Sequence, residues 1–252
     1  MRIAIAQLDA VWEDKAATKE HIHALLGRLP PRERIDWLLF PEMTLTGFTM
    51  NAQKAALDTQ DLAFFGDLAG CWNAFVTFGG VQDGRNNCIT MDRTGRVIST
   101  YSKTHLFSLG GEGRNYHPGS RRERFVIDSL AVTPAVCFDL RFPYLFWDSA
   151  EPPHLLAVIA CWPAQRAEHW TRLLQARAIE NQCYAVGVNR TGRDPQTEYA
   201  GGSLVIGPLG ETVLDCKSAA GIFLADISEQ AVLRARERLP FIKSRRSDIP
   251  FL

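Results

Sequence analysis

Cys137, Lys103 and Glu42 each stand just past a hydrophobic, strand-like run. Cys137 opens the segment Cys137-Phe138-Asp139-Leu140-Arg141-Phe142-Pro143, after the apolar run Ala131 to Val136. Glu42 closes Leu38-Leu39-Phe40-Pro41-Glu42, and Lys103 lies in Thr100-Tyr101-Ser102-Lys103-Thr104-His105-Leu106-Phe107. A side chain at a strand end can reach a cleft while its backbone is held rigid. A thiol becomes a strong nucleophile when a base takes its proton or a cation favours the thiolate. A carboxylate such as Glu42 supplies the base. An ammonium such as Lys103 favours the thiolate and would stabilise an oxyanion formed on attack, with the backbone N–H of Phe138 as second donor. Together these parts suffice for covalent catalysis on a carbonyl carbon. Taken one at a time, each has a plainer reading: a strand-end cysteine packs as a small hydrophobe, and a lone glutamate or lysine after a strand is a solvated turn residue.

The surrounding motifs separate these readings. Pro41-Glu42-Met43-Thr44-Leu45-Thr46-Gly47-Phe48, the run Tyr101 to Phe107 and the run Cys137 to Pro143 together resemble the carbon–nitrogen hydrolases of the nitrilase superfamily. A fourth stretch, Trp162-Pro163-Ala164-Gln165-Arg166-Ala167-Glu168-His169-Trp170 followed by Ala176 to Gln182, looks most like the omega-amidase branch. The resemblance runs from Arg2 to about Ile227. It implies hydrolysis of a small omega-amide of a dicarboxylic 2-oxo acid through a thioester on Cys137. It also implies an α/β fold of four layers: two mixed β-sheets face to face, flanked by helices, with such sandwiches joined as homodimers or higher homo-oligomers. An amidase of other specificity, a carbamoylase or a nitrilase would share the scaffold. A non-catalytic binding protein on the same fold is the alternative of a different class, and a papain-like peptidase ranks last because no histidine lies in a matching motif.

Further site residues follow from these motifs. Glu112, nine residues past Lys103, matches the second glutamate that members often carry between lysine and cysteine. The glycines around it lack the Lys-Ser/Thr ending of a phosphate-binding loop. Arg141 and Arg166 compete as partners for a substrate carboxylate, since a guanidinium matches that group in a bidentate way. For Asp139 and Arg141 a structural salt bridge shaping the turn is the plainer reading. Phe138 and Trp162 are candidates for the pocket wall, and Cys161 is placed to line it. Arg177 and Glu180, three apart on a helix, read as a structural pair. His105, His117 and His169 lack zinc spacing, and the chemistry requires no metal or cofactor. Two departures bear on specificity. Cys161 and Phe138 occupy positions where omega-amidase-like members usually carry Asn and often Tyr, so two polar groups are missing beside the site.

The 252 residues carry 28 Lys plus Arg against 28 Asp plus Glu, a balance that gives no reason to expect a nucleic acid or an anionic membrane as partner. The expected partner is a small amide. Arg2-Ile3-Ala4-Ile5-Ala6-Gln7 alternates like a half-buried strand rather than a signal peptide, and no apolar run approaches the ~20 residues of a membrane span. These features point to the cytoplasm, where the six cysteines are expected as free thiols. Asn189-Arg190-Thr191 fits a glycosylation sequon but carries no weight there.

To position the chemistry the chain needs strands ending at residues 42, 103 and 137. Strand patterns fall at Ile35–Phe40, Ala74–Val81, Asn87–Asp92, Val97–Ser102, Ala131–Val136, Leu155–Ala160, Tyr184–Asn189, Ser203–Ile206, Glu211–Asp215 and Ile222–Asp226. Helical patterns fall at Lys15–Arg28, Leu57–Ala69 and Arg166–Gln182, with Ser228 as N-cap of a last helix to Arg238. Nothing reads as a linker or repeat, so residues 1–252 are expected to form one domain. Strands interleaved with helices and hairpins predict a mixed sheet covered by helices; periodicity leaves open one sheet or two.

Overall fold

The computed structural model describes residues 1–147 and 152–246; the remainder of the expected 1–252 domain lies outside the described residues. The chain builds two mixed six-stranded sheets. In the first, β1 (Arg2–Gln7), β2 (Trp37–Leu39) and β3 (Phe75–Gln82) run parallel, extended by the antiparallel strands β4 (Arg85–Met91) and β5 (Val97–Ser102). In the second, β7 (Leu130–Val136), β8 (Leu155–Ala160) and β9 (Tyr184–Asn189) run parallel, with β6 (Phe125–Ile127), β12 (Leu204–Ile206) and β13 (Thr212–Asp215) antiparallel outside them. The last strand, β14 (Gly221–Asp226), returns to pair with β1. A small hairpin, β10 (Thr191–Arg193) with β11 (Glu198–Ala200), stands apart from both sheets.

Side-chain alternation explains why there are two sheets. On β1, Ile3 and Ile5 join the central cluster with Val132, Leu155 and Ala157 of the second sheet. Ala4 and Ala6 point the other way, into a cluster with Ile22 and Leu25 of helix α1 (Lys15–Leu26) and Phe65 and Leu68 of helix α3 (Thr59–Trp72). The same split recurs on β2 and the residue after it: Trp37 and Leu39 face the other sheet, and Leu38 and Phe40 face the helices. A strand with apolar groups on both faces must be covered on both faces, which is why these runs read as continuously hydrophobic. Helix α4 (Ala167–Asn181) packs on β9 and β12, and α5 (Glu229–Arg238) follows β14 with Ser228 Oγ accepting from the Ala231 N–H at 3.3 Å.

The elements differ from sequence expectation mostly at their ends. The Ile35–Phe40 run forms ladder pairs only over Trp37–Leu39. Helix α3 starts at Thr59 rather than Leu57, because Asp58 and Asp61 close a reciprocal capping box. The one-turn helix α2 (Ala52–Ala55), the short β6 and the β10–β11 hairpin lack a long enough pattern to register in the sequence. No helix among the described residues is long and apolar enough to cross a membrane.

Gly79 on β3 shows how tightly the fold seats the segment that carries Glu42. A Cβ there would come within 2.5 Å of the Met43 backbone nitrogen and 2.6 Å of the Glu42 Cα. The Thr44 N–H donates to the Gly79 carbonyl at 3.0 Å, and the Gly79 N–H donates to Thr44 Oγ1 at 3.0 Å. Gly79→Ala should therefore cost about 1–3 kcal/mol through overpacking against backbone and depress activity by displacing Glu42. Urea unfolding and turnover measured on the same sample check this. The control is Gly70→Ala near the end of α3, where an added Cβ meets nothing within 4 Å; it should be neutral or stabilising by a few tenths to about 1 kcal/mol.

Candidate active site

Four strand ends converge at one pole of the sandwich. Glu42 follows β2, Lys103 follows β5, Cys137 follows β7 and Cys161 follows β8. Each backbone is pinned where it leaves its strand. The Lys103 N–H donates to the Asn86 carbonyl and the Gly119 N–H to the Lys103 carbonyl, both at 2.8 Å. Thr44 Oγ1 donates to the Pro41 carbonyl at 2.7 Å, closing the turn that presents Glu42.

Cys137 begins a single-turn 3-10 helix, Cys137–Arg141, and itself takes φ +47°, the left-handed region that costs a residue with a Cβ roughly 1–3 kcal/mol. Buried partners hold this turn from two sides. The Asp139 carboxylate accepts from the Val136 N–H (3.2 Å), the Tyr101 hydroxyl (2.8 Å) and the His105 N–H (2.8 Å), and it faces His105 Nδ1 at 3.0 Å. Burial, together with the Asp139 charge, pushes the Tyr101 phenol well above its ordinary range, so it stays a donor. From the other side the Arg177 guanidinium donates to the Leu140 carbonyl from Nε (3.1 Å) and Nη2 (2.9 Å). Arg177 also meets Glu180 at 3.1 Å, as its spacing predicts, but its contact with the turn is the one that bears on the site. Asp139 shapes the turn without Arg141: no ion pair joins the two among the described residues, so the expected salt bridge is replaced by Tyr101 and His105.

The polar cluster at the base of the site is almost wholly excluded from solvent. Lys103 and Glu112 are 0% exposed and Glu42 1%, whereas Cys137 keeps 9% toward the cavity. Lys103 Nζ donates to Glu42 Oε1 at 2.8 Å and lies 2.9 Å from Glu112 Oε2 and 3.1 Å from Glu112 Oε1. Burial alone would push the ammonium down; the two carboxylates outweigh it and hold its pKa well above the ordinary lysine value, so Lys103 stays charged. Glu112, on a short turn at Glu112–Arg114, is fixed by the Phe107 N–H donating to Oε2 at 2.6 Å. The Cys161 N–H donates to Glu42 Oε2 at 2.8 Å, and its thiol donates to the Glu42 carbonyl at 3.2 Å. Burial and the nearby Glu42 charge push the Cys137 thiol well above its ordinary range, with Lys103 opposing them. Burial thus opposes a standing thiolate at Cys137, while Lys103 favours one.

Above this cluster opens a cavity of about 450 Å³ lined by Lys103, Cys137, Phe138, Arg141, Cys161, Trp162 and Arg166, with Trp12, Phe48 and Tyr199 among the opposing residues. The Arg141 guanidinium lies 4.8 Å from the Trp162 ring centre, and that of Arg166 lies 5.6 Å from the Phe107 ring centre. Among the described residues neither arginine has a carboxylate within ion-pair distance; the nearest polar partner of Arg141 is His169 Nδ1 at 3.3 Å. Burial and the neighbouring Arg166 charge push the Arg141 pKa down. The two acids on the opposite wall are already engaged: Asp194 accepts from the Tyr199 hydroxyl at 2.6 Å, and Glu13 accepts from the Thr49 hydroxyl. Trp162 is locked by Asn189, which accepts from its N–H at 2.7 Å and donates to its carbonyl at 3.1 Å. His105 is stacked on Phe142 and does not line the cavity. No group of three or more His, Cys, Asp or Glu side chains able to hold a metal occurs among the described residues.

The structure thus brings together all eight residues singled out from the sequence: Glu42, Lys103, Glu112 and Cys137 at the base, Phe138, Arg141, Trp162 and Arg166 on the wall. Sequence reading missed Asn86, whose side chain joins both carboxylates, along with the turn-holding contact of Arg177 and the far wall from Trp12 and Tyr199. Asn86 falls just before the Asn87–Asp92 strand pattern with no motif around it, and the structure extends that strand to Arg85; the far wall comes from loops and the small hairpin.

Comparison with known proteins agrees with this geometry. The carbon–nitrogen hydrolase family pattern matches residues 2–237. An omega-amidase of Yersinia enterocolitica is 34% identical over 95% of this chain and 94% of its own length. A 2-oxoglutaramate amidase of Bacillus subtilis is 32% identical over 85% of this chain and 86% of its own. A CN-hydrolase superfamily protein from Xanthomonas campestris, solved with an arsenic adduct in its active site, superposes with a TM-score of 0.91 at 30% identity, covering 100% of this chain and 99% of its own. Shared along nearly its whole length in both sequence and fold, this chain belongs to the carbon–nitrogen hydrolases.

Proposed function

We propose that the protein is an omega-amidase-like enzyme that hydrolyses the terminal amide of a small dicarboxylic 2-oxo acid, with Cys137 as nucleophile, Glu42 as general base and acid, and Lys103 as oxyanion donor. The observation that carries this reading is the pairing of a Glu42–Lys103–Cys137 cluster at the base of a cavity with two arginines on its wall that have no carboxylate partner among the described residues. Relatives named omega-amidase and 2-oxoglutaramate amidase support the same substrate class.

The steps follow from the positions. The Cys137 thiol transfers its proton to Glu42 as sulfur bonds to the amide carbon. Charge developing on the carbonyl oxygen is met by an N–H of Lys103 not directed at the carboxylates and by the Phe138 N–H at the start of the 3-10 turn, where the first backbone donors have no partner within the helix. Glu42 returns the proton to the departing nitrogen, the C–N bond breaks, ammonia leaves and a thioester remains. Water then attacks the thioester carbon, giving a proton to Glu42. The C–S bond breaks, sulfur recovers the proton, and the carboxylic acid is released. Burial disfavours ionisation of Cys137, so a base that takes the proton as sulfur attacks is the role assigned to Glu42. A carboxylate at the far end of the substrate would give Arg141 and Arg166 the anion they lack, and a cavity of about 450 Å³ restricts this pocket to small molecules.

Ammonia release from 2-oxoglutaramate and 2-oxosuccinamate tests the substrate. Turnover of some other amide, carbamoyl amine or nitrile, with neither of these cleaved, would reassign the substrate and leave the thioester route intact. Cys137→Ala should abolish release, and mass spectrometry of the wild-type enzyme quenched during turnover of a slow amide should place the acyl group on the Cys137 peptide. Arg141→Gln and Arg166→Gln should each raise KM at least about tenfold for the carboxylate-bearing amide, the loss of a charge-assisted hydrogen bond, and leave an uncharged amide of similar size nearly unaffected. Equal effects on both substrates would remove the arginines from carboxylate recognition.

A further inference from the structure

Asn86 lies on β4, is 0% exposed, and reaches the centre of the buried cluster. Its Nδ2 donates to Glu42 Oε1 at 2.7 Å and to Glu112 Oε1 at 2.8 Å. An amide nitrogen has two hydrogens, so both are spent on carboxylates. Lys103 Nζ bridges the same two groups. The two glutamates thus share two donors, one charged and one neutral, and each Oε1 takes both. The Asn86 Oδ1 is buried and has no hydrogen-bond partner among the described residues, so what the side chain contributes to the cluster is its two donors. The Asn86 carbonyl meanwhile accepts from the Lys103 N–H at 2.8 Å, so one residue holds the backbone of the ammonium and the side chains of both its counter-ions.

We propose that Asn86 is a positioning residue for the amide hydrolysis inferred above: by clamping Glu42 and Glu112 on one nitrogen it keeps Glu42 ionised and aimed at Cys137, so that the base is ready before substrate arrives. The charged and titratable groups around Glu42 are Lys103, Glu112, Cys137 and Cys161, with Tyr116 beyond, facing Glu112. A lysine alone between two carboxylates leaves their repulsion to be relieved by protonating one of them. A second, neutral donor to the ionised forms opposes that. Direction follows: with Asn86 removed, the carboxyl is protonated over more of the acidic range, and the base is lost at a higher pH than in the wild type.

The test compares wild type, Asn86→Leu and Asn86→Ser by two readouts across pH: kcat/KM for an amide that the wild type turns over, and the rate at which iodoacetamide labels Cys137, read on its peptide. Folding of each is followed by circular dichroism. The expected result for Asn86→Leu is a fall in kcat/KM of about 10- to 100-fold, the scale of a hydrogen bond to a charged group, with the acidic limb of both profiles moved to higher pH. Asn86→Ser, which keeps one hydroxyl donor, should fall in between. In the double variant Asn86→Leu/Glu112→Gln, where one charge of the pair is gone, the added effect of losing Asn86 should shrink severalfold. A folded Asn86→Leu or Asn86→Ser enzyme with its acidic limb unmoved would overturn the proposal, as would losses in the double variant that simply multiply. If Asn86→Leu does not fold, the limb position in Asn86→Ser decides. Failure of wild-type Cys137 to acquire an acyl group is a separate outcome: it would remove the catalytic reading itself, whereas acylation with an unmoved limb removes only the role of Asn86.

Discussion

The buried ammonium of Lys103 between Glu42 and Glu112 is the constraint on which the rest of the site depends. Three charges sit in a region that excludes water almost completely. Desolvation of such groups costs several kcal/mol each, and only close, fully bonded partners offset it. The cluster meets that condition through short contacts to Lys103, two donors from Asn86 and backbone N–H groups from Phe107 and Cys161. Removing one member would strand the others, so geometry and charge state stand or fall together. The same bonds that make burial tolerable hold the carboxylate and ammonium in the orientation that acyl transfer requires.

A second constraint is the backbone of Cys137, the proposed nucleophile. Cys137 occupies a left-handed conformation that a residue with a side chain resists. Tyr101 and His105 hold the turn through Asp139 from the first sheet's edge, and Arg177 holds it from helix α4. These contacts link two sheets and a helix, so the orientation of the thiol reports the packing of the whole sandwich. Burial raises the Cys137 pKa and Lys103 opposes it, so the base proposed beside the sulfur would assist ionisation at the moment of attack.

Specificity resides on different elements from the reacting groups. The base of the site is built by strand ends and the wall by the 3-10 turn, the loop after β8 and the β10–β11 hairpin. Cys161 joins the two layers: its backbone N–H and thiol hold Glu42 while its side chain lines the cavity. A change there acts on the pocket and on the base at once, whereas the Phe138 side chain packs against Phe107 and Phe142 and contributes apolar surface.

Much of the reaction centre was legible in the sequence because it is written locally. Glu42, Lys103 and Cys137 each follow a hydrophobic run, and the residues flanking them form motifs specific enough to imply the family and the two-sheet sandwich. Strands buried on both faces announced themselves as continuous apolar runs, and Ser228 announced the last helix. The tertiary structure decided what depends on pairs distant in the chain. It joined Asn86 to Glu42 and Glu112, turned Arg177 from a helix-surface pair into the anchor of Leu140, and gave Asp139 to Tyr101 and His105 instead of Arg141. A residue type and its neighbours along the chain carry propensity and pattern; which donor meets which acceptor is settled by packing, because a buried polar group must find its partner wherever the fold brings one within reach.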